Sequence, residues 1–476
     1  MSFKLEECTI AEIHNAYENN ELTCVELTQL YLSRIEKLDQ AGPSLNAFVK
    51  LDPSALDQAR ILDDYYQENG KFKGVLHGVP LAIKDQAETK NLETSFGSKA
   101  LIGNIPEEDA TIVKKLKDAG AIIVGKTTMP DFAASWWGYG SVHGETKCAY
   151  DLERDSGGSS GGTGAAVAAN LVTVGIGEDT GGSIRLPSSA NNLVGIRVTP
   201  GMISRNGLSP LLVLLDTAGP MARNVTDLSI LLDAMAKYNH LDPLSIKKEN
   251  TSFYESLGKE TKHIYKVGIT EDFGIYPCTS EIKNMIVNTS KLITSIGHEV
   301  DASFPSMQNA EESFQILRAY LFFSVYGFLL SSHKNVRKDI IWNIEKGKNL
   351  DVSDIVKADN IRARIYQNIA NFFNEFDFLV CPSSSVVPFN YETKWVKQIN
   401  EKTFDNYVSW LMICGSLSLV NCPCISLPTS IAENGAPIGI QIIAPPHHEE
   451  KLLKFAKSLE TEINIADLVP INPKNA

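Results

Sequence analysis

Basic residues are in short supply in this chain. The 44 lysines and arginines face 57 aspartates and glutamates, leaving a formal net charge of −13 over 476 residues. A phosphate-binding surface needs clustered cations, so no nucleic acid is expected as a partner. Lys114, Lys115 and Lys117 read as the wet face of a helix instead. Cysteine is sparse too: there are 8, with no CxxC pair, and Cys422 and Cys424 lie too close along an extended chain for an ordinary disulfide. They read as free thiols of a reducing compartment. The 9 histidines show no HExxH or comparable ligand spacing, so neither a metal nor another cofactor is implied. Long apolar runs are missing as well. The most apolar stretch, 319–330, falls short of the roughly 20 residues that span a bilayer. The polar, acidic start MSFKLEECTIAEIHNAYENN is no secretory signal. The expectation is a cytoplasmic protein with no stable membrane span.

Glycine, by contrast, is concentrated where it matters. Between Ser156 and Pro187 the chain reads SGGSSGGTGAAVAANLVTVGIGEDTGGSIRLP, with two glycine-flanked serine sites around a small, apolar run. Glycine permits positive φ and close backbone approach, so GGSSGG and GIGEDTGGS read as tight loops. Residues 163–170 have helical, alanine-rich composition, and 171–176 suit a buried strand. Both loops then lie at element ends, where backbone N–H groups point at a ligand.

A serine hydroxyl needs a base to take its proton and N–H donors to hold the oxyanion that forms. Ser183 follows Thr180, Gly181 and Gly182, whose consecutive N–H groups suit the second task, but no histidine lies near it in sequence. The candidate base is Lys84, which directly follows the apolar run GVPLAI. Holding a lysine neutral at pH 7 costs about 4.6 kcal/mol, and full burial depresses an amine by about 3–5 pK units.

Three other patterns compete. Gly158–Gly162 matches GxSxG, yet the preceding DLERD is polar where a nucleophile elbow follows an apolar strand. Gly162-Thr163-Gly164 could begin a dinucleotide loop, but the third glycine is missing. GAIIVGKT, 120–127, matches the phosphate-loop letters, but its middle reads as a buried strand where a phosphate cradle needs a loop.

GVPLAIKD, GGSSGG and DTGGSIR, taken together and in this order, resemble the amidase signature family of serine hydrolases. GKTTMPDF at 125–132 and the stretch 186–235 extend the resemblance, which covers roughly 1–237 and 376–460. It implies a triad of Lys84 as base, Ser159 as a relay in a cis peptide, and Ser183 as nucleophile. The family spacing of 24 residues selects Ser159 over Ser160. It further implies an oxyanion hole from the N–H groups of Thr180, Gly181, Gly182 and Ser183, and an acyl pocket bordered by the segment holding Ala133, Ser135, Trp136, Trp137 and Tyr139, whose rings either line that pocket or fill core. Ser160 is expected to hydrogen-bond within its loop, and Asp179 and Arg185 to fix the nucleophile loop. The chain departs from the family at Ser156, where proline is common, and at Glu178, where threonine or serine is common. An inward-pointing Glu178 would raise the pKa of Lys84.

With 43% hydrophobic residues the chain can bury a large core. The expected class is α/β: one domain over 1–476, with a mixed, mostly parallel sheet covered by helices on both faces. Helices occupy 1–70, the signature core 71–237, a variable pocket region 238–375, and closing strands and a helix 376–476. Thr23 and Glu26 form a capping box ahead of a helical pattern from Leu27 to Leu38. A second helix follows at 55–66, and a third from Asp109, its candidate cap. Strands are expected to end at Lys84 and to cover 121–124 and 376–381, with a hairpin of 424–429 and 439–443 turning at Asn434-Gly435. Thr226 or Asp227 is placed to cap the helix carrying Leu228, Leu231 and Leu232. The aromatic run 314–330 is either a buried helix or a channel wall, and 331–365 reads as charged surface.

The function the resemblance implies is hydrolysis of a small-molecule amide through an acyl-enzyme, with a second copy of the chain as a possible partner. Two alternatives stand beside it: the glutaminase component of a transfer-RNA-dependent amidotransferase complex, and a catalytically silent binding protein. The first is weakened by the lack of a tyrosine-rich stretch in 310–370, the second by retention of all three triad residues.

Overall fold

Alternating apolar strands and amphipathic helices collapse here around one eleven-stranded sheet. The computed structural model describes residues 8–41, 44–135, 140–205, 214–247, 252–259, 263–331, 335–463 and 472–473. In spatial order the strands are Phe48–Leu51, Ile122–Thr127, Pro80–Lys84, Val174–Asp179, Thr217–Ala222, Val194–Arg197, Cys424–Ile431, Pro437–Ile443, Phe378–Pro382, Lys266–Ile269 and Glu299–Asp301. The α/β class and the single mixed sheet hold. The share of parallel pairing does not: four junctions are parallel and six antiparallel. The C-terminal hairpin and the return strands 194–197 and 217–222 supply most of the antiparallel pairs, and neither needs a crossover helix.

Pro80–Lys84 and Ile122–Thr127 are buried along their whole length, as strands covered on both faces must be. The second of these carries the phosphate-loop letters, and Lys126 within it points into the core, donating to Thr94 Oγ1 at 3.0 Å. Pro80–Lys84 pairs in parallel with both Ile122–Thr127 and Val174–Asp179. Lys84 and the loop after Asp179 therefore emerge at the same sheet edge, the carboxyl ends of parallel strands.

Several expected elements formed with other boundaries or caps. The capping box at Thr23 and Glu26 starts Cys24–Ile35, and the next helix runs Ala55–Asn69. The helix expected from Asp109 begins at Thr111 with no side-chain cap, because Asp109 accepts instead from the Lys90 N–H and the Lys117 ammonium. Of the supposedly wet lysines, Lys115 is half-buried and donates to Ser204 Oγ at 2.6 Å. Neither Thr226 nor Asp227 caps Val225–Met235. Asn224 does, accepting from the Asp227 N–H at 2.7 Å, while the Asp227 carboxylate takes the Ile10 N–H at 3.1 Å. Asn224→Ala is expected to cost about 1 kcal/mol, read as a lower urea midpoint, whereas Thr226→Ala leaves the midpoint unchanged.

The aromatic run is both of the things proposed for it. Helix Ala310–Tyr326 buries Phe314, Leu317 and Phe322, while Leu321, Val325 and Tyr326 face a cavity described below. Phe323 and Phe328 remain 38% and 61% exposed. With its final turn, the helical segment Ala310–Ser331 has 22 residues, long and apolar enough to cross a bilayer by length and composition. The shorter 319–330 run misses this because residues 310–318 extend the helix. Here the helix packs against Lys338–Lys348 and Val352–Phe372. Those two helices carry the expected charged surface on their outer faces and bury Ile340, Ile344, Ala358, Ile361 and Ile365 on their inner ones.

Candidate active site

Lys84 ends its strand inside the protein, 1% exposed. Its Nζ donates to Ser159 Oγ at 2.7 Å and to the Glu178 carbonyl oxygen at 3.2 Å. The Gly158–Ser159 peptide is cis, at the serine the resemblance selects. Directly after it, Gly161–Ala168 forms a wholly buried helix whose small side chains let it lie close to the sheet. The loop before it is tied down from both ends. Asp155 accepts the Gly157 N–H at 2.8 Å, and Asn191 Nδ2 donates to the Ser156 carbonyl at 2.7 Å.

The second glycine-serine loop leans on the first, since the Ser160 N–H donates to the Ser183 carbonyl at 3.2 Å. The Ser160 side chain, expected to hydrogen-bond in its loop, has no such partner. It sits over Gly177, where a Cβ would come within 2.6 Å of its Oγ, so only glycine fits beneath it. Asp179 organises the nucleophile loop. Its carboxylate takes the N–H groups of Gly182 and Ile184 at 2.7 and 3.1 Å, and pairs with Arg185 at 3.0 Å and Arg197 at 3.7 Å. Burial alone would raise the Asp179 carboxyl, but the Arg185 guanidinium holds it well below the usual carboxylate range. The expected role of Asp179 and Arg185 is thus visible in their bonds, with one consequence for the oxyanion hole. The Gly182 N–H is already given to Asp179.

Lys84, Ser159, Thr180 and Ser183 line one cavity of about 340 Å³, together with Ala133. Gly181 and Gly182 lie between Thr180 and Ser183 in the chain, with the Cβ position of Gly181 toward Phe314 and that of Gly182, at φ +121°, toward Leu186 and Cys414. Trp136, Trp137 and Tyr139 lie outside the described residues. The apolar side is made by Phe96, Ile112, Phe132, Leu321, Val325 and Tyr326. A larger surface cleft, about 770 Å³ beside Ile10 and Tyr254, is lined by none of these residues.

Burial lowers the pKa of the Lys84 ammonium, opposed by the charges of Glu178, Asp216 and Asp179. Glu178 does point inward, and burial followed by the Asp216 charge pushes its carboxyl up. Sequence reasoning missed Asp216 and Gln86. Asp216 accepts from Thr180 Oγ1 at 2.8 Å, and Gln86 Nε2 donates to Glu178 Oε2. Asp216 sits in LDTAGP, 215–220, within the stretch 186–235, but its place opposite Glu178 follows only from strand pairing.

A family model described as Amidase matches residues 26–453, nearly the entire chain. The chain belongs to the amidase signature family. It is an amide hydrolase, in line with the main expectation and against the alternative of a silent binding protein. Among similar amidase-family proteins is a glutamyl-tRNA(Gln) amidotransferase subunit from Alkaliphilus metalliredigens, 33% identical and covering 98% of this chain and 99% of that one. The protein of the same name from Fusobacterium nucleatum is 32% identical, with 98% of each chain covered. The peptide amidase of Stenotrophomonas maltophilia shares the fold at a TM-score of 0.80 and 26% identity, covering 98% of both chains. A bacterial aryl acylamidase superposes at a TM-score of 0.89 with 22% identity, covering 99% of this chain and all of that one.

Proposed function

We propose that this amidase cleaves a carboxamide through an acyl-enzyme on Ser183, with Lys84 as base and Ser159 as relay. The observation that carries the reading is a buried lysine hydrogen-bonded at 2.7 Å to a serine in the cavity that Ser183 also lines. Neutral Lys84 takes the Ser159 proton as Ser159 takes that of Ser183. The Ser183 oxygen attacks the carbonyl carbon, and the N–H groups of Thr180, Gly181 and Ser183 hold the oxyanion. The proton returns along the relay to the nitrogen, which leaves as ammonia or an amine, and water then releases the acid by the same route. Gly182, its N–H bound to Asp179, supports the hole by shaping the loop.

The names of the 33% and 32% identical relatives favour a second reading, a glutamine-hydrolysing component that works with partner chains. Ammonia and amine release from aliphatic, aryl and peptide amides and from glutamine, by the chain alone, separates the two. Turnover of simple amides supports the free-standing amidase. Activity confined to glutamine and needing added partner chains supports the second reading. A serine-directed phosphonate that fails to label Ser183 overturns both.

The lysine must be neutral to act, so activity should fall as pH drops through its lowered pKa. The Glu178 charge favours the ammonium form, and Glu178→Gln should therefore move the acid limb of the kcat/KM profile to lower pH. A limb that stays in place, or moves up, contradicts the coupling.

A further inference from the structure

Glu178 and Asp216 place two carboxyl groups on one wall of the cavity. Glu178 is in register with Ala218 on the neighbouring antiparallel strand, and Asp216 lies two residues before Ala218. Cross-strand partners share a face, and so do residues i and i+2, so both acids project from one face of the sheet, and they meet Lys84, which aligns with Gly177, in the cavity at the strand ends. Each carboxyl has one oxygen satisfied by a neutral donor, Gln86 for Glu178 and Thr180 for Asp216. The second oxygen of each accepts no hydrogen bond, and neither carboxyl has an ion-pair partner among the described residues.

Three of the cations around them have other hydrogen-bond partners. Lys84 donates to Ser159 and to a carbonyl. Lys126 is held on Ala87 and Thr94. Arg318, on the opposite wall, donates to Asn343 and Tyr407, while Arg205 and the exposed Glu88 line the rim and Tyr326 closes the apolar side. Two neighbouring acids with free oxygens and no ion-pair contact are costly when both are ionised unless a ligand brings further positive charge.

We infer that Glu178 and Asp216 form a recognition point for a protonated amine carried by the substrate, making this an amidase for amino-substituted amides. The inference rests on the hydrolase reading above and deepens it. An ammonium offers three donors and a full charge, which suits two single carboxylate oxygens on one wall. The apolar wall of Leu321, Val325 and Tyr326 would cover the methylenes between amine and amide. A bound ammonium also favours ionised Glu178 and neutral Lys84, the protonation states needed for recognition and for base catalysis. Affinity for an amino-amide should therefore rise with pH as Glu178 gives up its proton, whose pKa burial has raised.

Binding to Ser183→Ala, followed by calorimetry, tests this without turnover. The probes are butanamide, 4-aminobutanamide, hexanamide and 6-aminohexanamide, whose amines are protonated up to about pH 10. At least one amino-amide should bind about tenfold or more tightly than its uncharged counterpart, with affinity rising from about pH 6 to 9 and falling with salt, while the uncharged amides stay flat. Adding Glu178→Gln should remove most of the tenfold difference and the pH dependence. Equal binding within both pairs, no binding by any probe, or discrimination that survives Glu178→Gln overturns the inference. Because these readouts precede chemistry, they stand apart from loss of hydrolysis, which would strike the acyl-enzyme reading instead.

Discussion

Alanine at Ser183 is expected to lower amide hydrolysis by about 10⁴-fold or more, and alanine at Lys84 by about 10²–10⁴-fold. The first substitution removes the atom that forms the covalent bond. The second leaves Ser159 Oγ without its 2.7 Å partner and so removes the base to which the relay passes its proton. Because the three residues act as a unit, the double variant should be no worse than Ser183→Ala alone. Lys84→Ala also removes a buried, desolvated amine, so its fold should be at least as stable as the parent's in urea. Ammonia release measured beside unfolding separates the two effects. Retention of more than a tenth of the activity in either single variant would remove that residue from the mechanism.

The second large effect concerns stability. Asp179→Ala strips the counter-ion from two buried guanidiniums, Arg185 and Arg197, both fully enclosed by protein. Arginine does not shed its charge, so the loss should be about 3–5 kcal/mol, seen as a fall in the urea midpoint. Activity should fall with it, because the Gly182 and Ile184 N–H groups lose the acceptor that sets the nucleophile loop. Asp179 is held below its ordinary pKa, so its stabilisation is full above about pH 4 and fades as pH falls toward the folded-state value. Parent and variant should therefore converge in acid. A variant as stable as the parent at pH 7 would show that Ser418, Gln441 and the Cys414 carbonyl suffice for Arg185.

Much of the site was legible because its parts are local. GGSSGG and DTGGS announce tight loops through glycine content, and Lys84 stands out where an apolar strand ends in a charge. Caps were less so. Asn224, Thr226 and Asp227 are all good N-caps, and the choice fell to Asn224 because Ile10, 217 residues earlier, claims the Asp227 carboxylate. The helix at Thr111 lost its expected cap the same way, when Lys90 and Lys117 took Asp109.

By itself, the sequence determined the family, the two serine loops, the isolated lysine and the alternation that builds an α/β sheet, since each is written in composition, spacing or short-range periodicity. Tertiary structure alone decided which acids face the cavity, which N–H of the nucleophile loop is already spent, and which side of the 310–326 helix is core. Those depend on loop folding, strand register and burial that bring particular groups face to face, and none of these is written as a pattern of residue types.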